Sequence, residues 1–141
     1  MSLESTISYF SEDTDFELAD ADNHTQWLKK IANVHNSEIL SLTYIFCSDE
    51  YLLNINKSYL NHDYYTDIIT FPYKQGEELE SDIFISIDRV QDNAAQAGVS
   101  FTEELHRVMA HGVLHLIGFG DKTEEEAKIM RKKEEESIAL F

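Results

Sequence analysis

His111-Gly112-Val113-Leu114-His115-Leu116-Ile117-Gly118-Phe119-Gly120-Asp121 is the stretch on which the reading of this chain turns. An apolar run enters it from Leu105, Val108 and Met109, and the spacing predicts a helix. Residues four apart lie one above the other on a helix face, so the imidazoles of His111 and His115 can converge on one metal ion. Gly118 falls where a helix ends, because glycine accepts the left-handed conformation of a C-terminal cap. Gly120 lets the chain fold back and bring Asp121 to the same ion. The expected ligand set is His111, His115 and Asp121 around one divalent cation, with zinc the first choice and iron or manganese also compatible. Three protein ligands leave a position open, which is the pattern of a catalytic rather than a structural site. The competing reading is a pair of hydrogen-bonded core histidines. Metallopeptidases of the H-E-x-x-H type carry glutamate after the first histidine; Gly112 fills that place here and can neither take a proton nor orient water.

Outward from this segment, the 141 residues fit one domain, 1–141, able to bury about two-thirds of its unfolded surface. No apolar run approaches the roughly 20 residues of a membrane span, and no basic-then-apolar leader is visible, so a cytoplasmic location is expected. Met1-Ser2-Leu3 reads as a cloning remnant. One cysteine, Cys47, excludes an internal disulfide and, beside Ile45 and Phe46, reads as a small core residue. With 27 acids against 11 Lys and Arg, the formal charge is −16. That balance argues against a broad phosphate grip, which relies on basic surface. Cations that could cluster are Lys29-Lys30, Lys57, Arg89, Arg107 and Arg131-Lys132-Lys133. The last run is followed by Glu134-Glu135-Glu136, and pairs four apart (Arg131 with Glu135, Lys132 with Glu136) would make it a solvated face.

Taken in order, Ile7–Phe10 reads as a strand and Ser11–Asp22 as acidic loop, with Phe16 and Leu18 alternating as in a short edge strand. Trp27, Leu28, Ile31 and Val34 mark a helix capped by Asn23 or Thr25. Leu40–Phe46 is rich in β-branched and aromatic residues and reads as a strand. Ser48 opens a helix to about Tyr59, followed by a turn at Asn61–Asp63. Asp67–Phe71 is a strand ending at Pro72, Lys74–Glu80 a polar loop and Asp82–Ile87 a strand. A helix over Val90–Ala97 stops at Gly98. Ser100 with Glu103, and Thr123 with Glu126, are expected capping boxes for the last two helices. Ala127, Met130, Ile138 and Leu140 form the expected apolar stripe of the final helix. The sum is an α+β fold: a small mixed sheet covered by helices, one of them carrying the histidines.

Three blocks resemble the YbeY family of metal-dependent endoribonucleases. His111, Gly112, Leu114, His115, Leu116 and Gly118 match the family's H-G-x-L-H-L-x-G-Y-D-H, with Phe119 in place of tyrosine and Asp121 in place of the third histidine. Asn56, Tyr59, Asp63, Thr66, Asp67, Phe71 and Pro72 match N-x-x-Y-R-x-x-D-x-x-T-D-V-L-S-F-P, with Leu60 replacing an arginine that the family places in its active-site cleft. Asp82–Ser86 is similar to the family's G-D-I-x-I-S strand. The resemblance implies cleavage of single-stranded RNA in ribosomal RNA maturation and ribosome quality control. The partner it implies is ribosomal RNA or a small-subunit precursor; the alternative is a metal-stabilised assembly factor without catalysis. The catalytic acid and base stay unassigned. Lys57 and His62 are candidates to replace the missing cation, Asp63, Thr66 and Asp67 are read as tethers of the strand entry, and His106 lies too far round the helix to join His111 on a metal.

Overall fold

A computed structural model describes residues 6–141; the Met1-Ser2-Leu3 reading lies outside them. The order is β1 (Thr6–Glu12), α1 (Ala21–Val34), β2 (Glu38–Cys47), α2 (Asp49–Leu60), β3 (Ile68–Lys74), β4 (Glu78–Ser86), α3 (Ile87–Ala97), α4 (Phe101–Ile117) and α5 (Glu124–Ile138). The four strands make one mixed sheet in the order β1-β2-β4-β3. β1 and β4 both run parallel to β2, and β3 runs antiparallel to β4 at the edge. This is the α+β architecture expected from the sequence.

Strand alternation decides which face receives the histidine helix. Ile39, Leu42, Tyr44 and Phe46 of β2, with Leu79, Ile83 and Ile85 of β4, are buried against Trp27, Leu28 and Ile31 of α1 and Leu105, Met109 and Leu114 of α4. Burial of these side chains contributes roughly 1.5–3 kcal/mol each. Tyr44 Oη donates to the Met109 carbonyl at 3.1 Å, so the sheet grips α4 at its middle. The other face is covered at one end by α2, through Leu52 packed with Cys47 and Ile69. Cys47 is buried and its thiol is pushed up to about 12, first by burial and then by Asp49, which agrees with an inert core residue.

Several boundaries differ from the sequence reading, each for a local reason. α1 starts at Ala21, before Asn23 and Thr25: no side chain caps it, while His24 Nδ1 donates back to the Asp20 carbonyl at 2.9 Å. Phe16 and Leu18 form no strand and pack against the core from a coil. β3 runs past Pro72 to Lys74, which an outer edge tolerates because proline's missing N–H is not needed there. β4 begins at Glu78, so the expected polar loop shrinks to a tight turn around Gly76, whose φ is +93°. The Gly76 amide then donates to the Leu116 carbonyl at 2.9 Å, satisfying an orphan carbonyl at the end of α4. Thr123 and Glu126 form the full capping box, but at α4 only Ser100 caps, and Glu103 turns instead toward Arg107. No helix among the described residues is long and apolar enough to cross a membrane.

Candidate active site

α4 is apolar over the face toward the sheet, and its other stripe carries Arg107, His111 and His115 at successive fourth positions. That stripe, the start of β3 and Glu134 of α5 enclose a cleft of about 420 Å³ that also contains Thr66, Asp67 and Asp121. Gly118 ends the helix at φ +132°, and the exit loop brings Asp121 Oδ2 to 3.4 Å from His111 Nε2. The His111 and His115 rings lie nearly parallel, 6.4 Å apart.

The hydrogen bonds fix which nitrogen each imidazole presents. His111 Nδ1 donates to Glu134 Oε2 at 2.8 Å, and His115 Nδ1 donates to the Phe119 carbonyl at 3.2 Å. Nε2 of each ring is left to bind a cation, the arrangement that second partners impose on metal-ligating histidines. The donor set fits a divalent ion by type and by hydrogen bonding: two imidazole Nε2 atoms and a carboxylate beyond them. Among the described residues, no three His, Cys, Asp or Glu side chains close round one point as they stand. His111 and Asp121 have met; His115 stands one turn further along.

Electrostatics reinforce the pairing. Burial by itself would lower the His111 pKa, but the Glu134 hydrogen bond and charge, then Asp121 and Asp67, outweigh it and hold the imidazole above its ordinary value. Burial raises the Asp67 carboxyl, partly offset by His111, and raises Glu104, partly offset by Arg107. Arg107, the one Lys or Arg lining the cleft among the described residues, is spent on carboxylates: Glu134 at 3.3 Å, Glu135 at 3.0 Å, Glu104 at 3.6 Å and Glu103 at 3.8 Å.

The sequence reading missed Glu134 and undervalued Asp67. Glu134 was assigned to a solvated run, yet α5 buries Met130, Glu134 and Ser137 while Ala127 is exposed. The expected pairs of Arg131 with Glu135 and Lys132 with Glu136 are replaced by Arg107–Glu135 and Lys133–Glu136. A carboxylate four residues after the buried Met130, facing a histidine helix, was the available signal. Thr66 and Asp67 line the cleft as well as leading into β3. His106 turns away, as its angular offset required, and its Nε2 meets His24 Nε2 at 3.1 Å in the core. Gly112 faces the sheet: a Cβ there would lie 3.1 Å from Ile68 Cδ1 and 3.4 Å from Ile83 Cδ1, so a peptidase-type glutamate has no room. The candidate cations are largely engaged, Lys57 with Asp63 at 3.3 Å and Arg89 with Asp49 at 2.6 Å.

Comparison with known proteins gives one consistent answer. The family model described as Endoribonuclease YbeY matches residues 8–141. Endoribonuclease YbeY of Cytophaga hutchinsonii is 52% identical over 138 residues, covering 97% of this chain and 96% of that protein. The Flavobacterium johnsoniae protein of the same name is 48% identical over 132 residues, covering 94% and 95%. The solution structure of TM1509 from Thermotoga maritima shares the fold, with a TM-score of 0.68 at 23% identity over 95% of this chain and 87% of that one. With half-identical relatives aligned almost end to end, the chain belongs to the Endoribonuclease YbeY family.

Proposed function

We propose that this chain is a metal-dependent endoribonuclease, acting as a single domain on single-stranded RNA during ribosomal RNA maturation in the cytoplasm. His111, His115 and Asp121 hold one divalent ion, zinc by first choice. The observation that carries this reading is the pair of Nδ1 hydrogen bonds that engage one nitrogen of each cleft histidine and leave Nε2 for a cation, in a chain of this family. A divalent ion there supplies Lewis acidity, acidifying water and neutralising charge on a phosphoryl oxygen. Glu134 orients His111, and the Phe119 carbonyl orients His115. Asp67 takes no ion-pair partner among the described residues, and burial raises its pKa, so it is the cleft carboxyl suited to hold a proton near the scissile bond. Thr70 gives the cleft wall a hydroxyl that can donate to a phosphate oxygen, while the Thr66 hydroxyl donates to the Ile68 carbonyl.

Purified metal-loaded protein is expected to nick single-stranded RNA, and His115→Ala to abolish cleavage and ion binding together. Cutting retained in that variant would place the activity elsewhere. A second reading, a ribosome-assembly factor without catalysis, is favoured by the neutralised cations Arg107, Arg89 and Lys57. It requires co-sedimentation with small-subunit precursors and no cleavage with any divalent metal.

A further inference from the structure

Behind the edge strand lies a second cavity, of about 260 Å³, separated from the cleft by Thr66, Ile68 and Thr70, which line both. Its character is the opposite of the cleft's. No charged side chain lines it, whereas the cleft carries Asp67, Glu104, Arg107 and Glu134. Leu60 and Ile69 give it apolar surface, and His62 and Tyr64 supply two rings stacked at 5.1 Å and 21°. Tyr64 Oη meets His62 Nδ1 at 3.0 Å, so the two rings hold each other as one platform. Without a Lys, Arg, Asp or Glu in its lining, such a cavity suits a flat group with an apolar face better than a phosphate.

One polar atom gives the cavity direction. Asn56 is only 2% exposed and lines it. Its Nδ2 donates to the Tyr64 carbonyl at 2.9 Å, which pins the platform to α2. Its Oδ1 takes no hydrogen bond among the described residues. Because no fully enclosed side-chain polar atom lacks a partner, that oxygen opens to the cavity. Water can satisfy that acceptor in the free chain, but a ligand that covers it without a donor would leave it unpaired at a cost of roughly 1–3 kcal/mol, so the cavity favours a ligand carrying an N–H donor.

We propose that this cavity is a nucleobase subsite, taking one base of the single-stranded RNA whose backbone lies in the cleft. The base stacks on the His62–Tyr64 platform and places an amino or imino N–H on Asn56 Oδ1. This deepens the nuclease reading and rests on it for the identity of the strand. It also accounts for how so acidic a chain holds RNA: through a base face rather than through phosphates.

The test is equilibrium binding of single-stranded RNA hexamers to the full chain in EDTA, where metal-dependent cutting is off. Each hexamer position is replaced in turn by an abasic nucleotide. One position is expected to weaken binding by roughly 5- to 150-fold, the range for losing one stacked base. Tyr64→Ala should weaken the intact hexamer similarly, and the abasic change at that position should then cost nothing more. Tyr64→Phe, which keeps the ring but loses the hydroxyl's bond to His62, should fall between wild type and Tyr64→Ala. Tyr64 is 55% exposed, so folding of both variants is checked by circular dichroism. No binding of the intact hexamer, indifference to Tyr64→Ala, or fully additive losses would each overturn the subsite. Cleavage by the metal-loaded protein is scored separately: cutting that ignores Tyr64→Ala sinks the subsite alone, and Tyr64-dependent binding without cutting sinks the nuclease alone.

Discussion

Glu134 of α5 accepts a hydrogen bond from Nδ1 of His111 of α4 at 2.8 Å, while its other oxygen receives Arg107 at 3.3 Å. The last helix therefore does more than cover the core. It carries the group that sets the tautomer of a proposed ligand, and Arg107, one turn before His111, holds that group still. Glu134→Gln retains an acceptor but loses the charge, whereas Glu134→Ala loses both. Zinc affinity measured against a competing chelator is expected to fall by about 10- to 100-fold in Glu134→Ala, with Glu134→Gln between it and wild type. Equal affinity in all three proteins would mean that His111 needs no such partner.

Gly112→Glu recreates the sequence of a zinc peptidase without the space for it. The new side chain would have to displace Ile68 and Ile83 between α4 and the sheet. A carboxylate buried there without a partner is expected to cost on the order of 4 kcal/mol or more. Urea unfolding should show the loss, and no peptidase activity should appear. A variant as stable as wild type would contradict the packing of α4 described above.

Much of this was legible in the sequence because local rules and tertiary needs agree. Glycine caps at Gly98 and Gly118 and the Ser48 and Thr123 caps sit where the pattern put them, and the β-branched and aromatic run Leu40–Phe46 lies inside β2. The turn at Gly76 was hidden because Glu78 and Glu80, polar residues on the sheet's open face, read as loop. Glu134 was hidden for a related reason. One glutamate among three is indistinguishable by type, and only its angular position below Met130 shows that it points inward. Asp67 was seen only as part of a strand entry, because its nearness to His111 depends on how β3 sits beside α4, a contact across more than forty residues of chain.

The buried pair His24–His106 makes a pH prediction that does not involve the cleft. His24 Nδ1 donates to the Asp20 carbonyl, so its Nε2 accepts from His106 Nε2 at 3.1 Å. Trp27 and Phe141 close over them. Burial first, then the neighbouring His24, lowers the His106 pKa to about 4. A histidine whose folded pKa lies below its unfolded value of about 6.5 gives stability that is present above the unfolded value and is lost as pH falls through the folded one. Wild type minus His106→Gln, compared by urea unfolding at pH 7 and pH 4.5, should therefore shrink by on the order of 1–2 kcal/mol in acid. A difference that stays constant over that window would show that His106 does not titrate with folding.

The proposed ion binding would also register as stability, since Asp121 meets His111, with His115 one turn further along, only in the folded chain. A ligand that binds the native state alone stabilises it by about 2.7 kcal/mol at a free concentration of 100 times its Kd. Adding zinc to chelator-stripped protein should raise Tm in step with concentration, and EDTA should reverse the rise. Asp121 is 46% exposed, so Asp121→Asn should leave the stability of the stripped protein within about 0.5 kcal/mol of wild type. The same variant keeps an oxygen donor but loses its charge, so its zinc-dependent rise in Tm should be smaller. His115→Ala, which removes a nitrogen from an exposed position, should abolish the rise. If Asp121→Asn and wild type responded identically to zinc, Asp121 would be no ligand, and its approach to His111 would be only the pairing of a carboxylate with a raised-pKa imidazole.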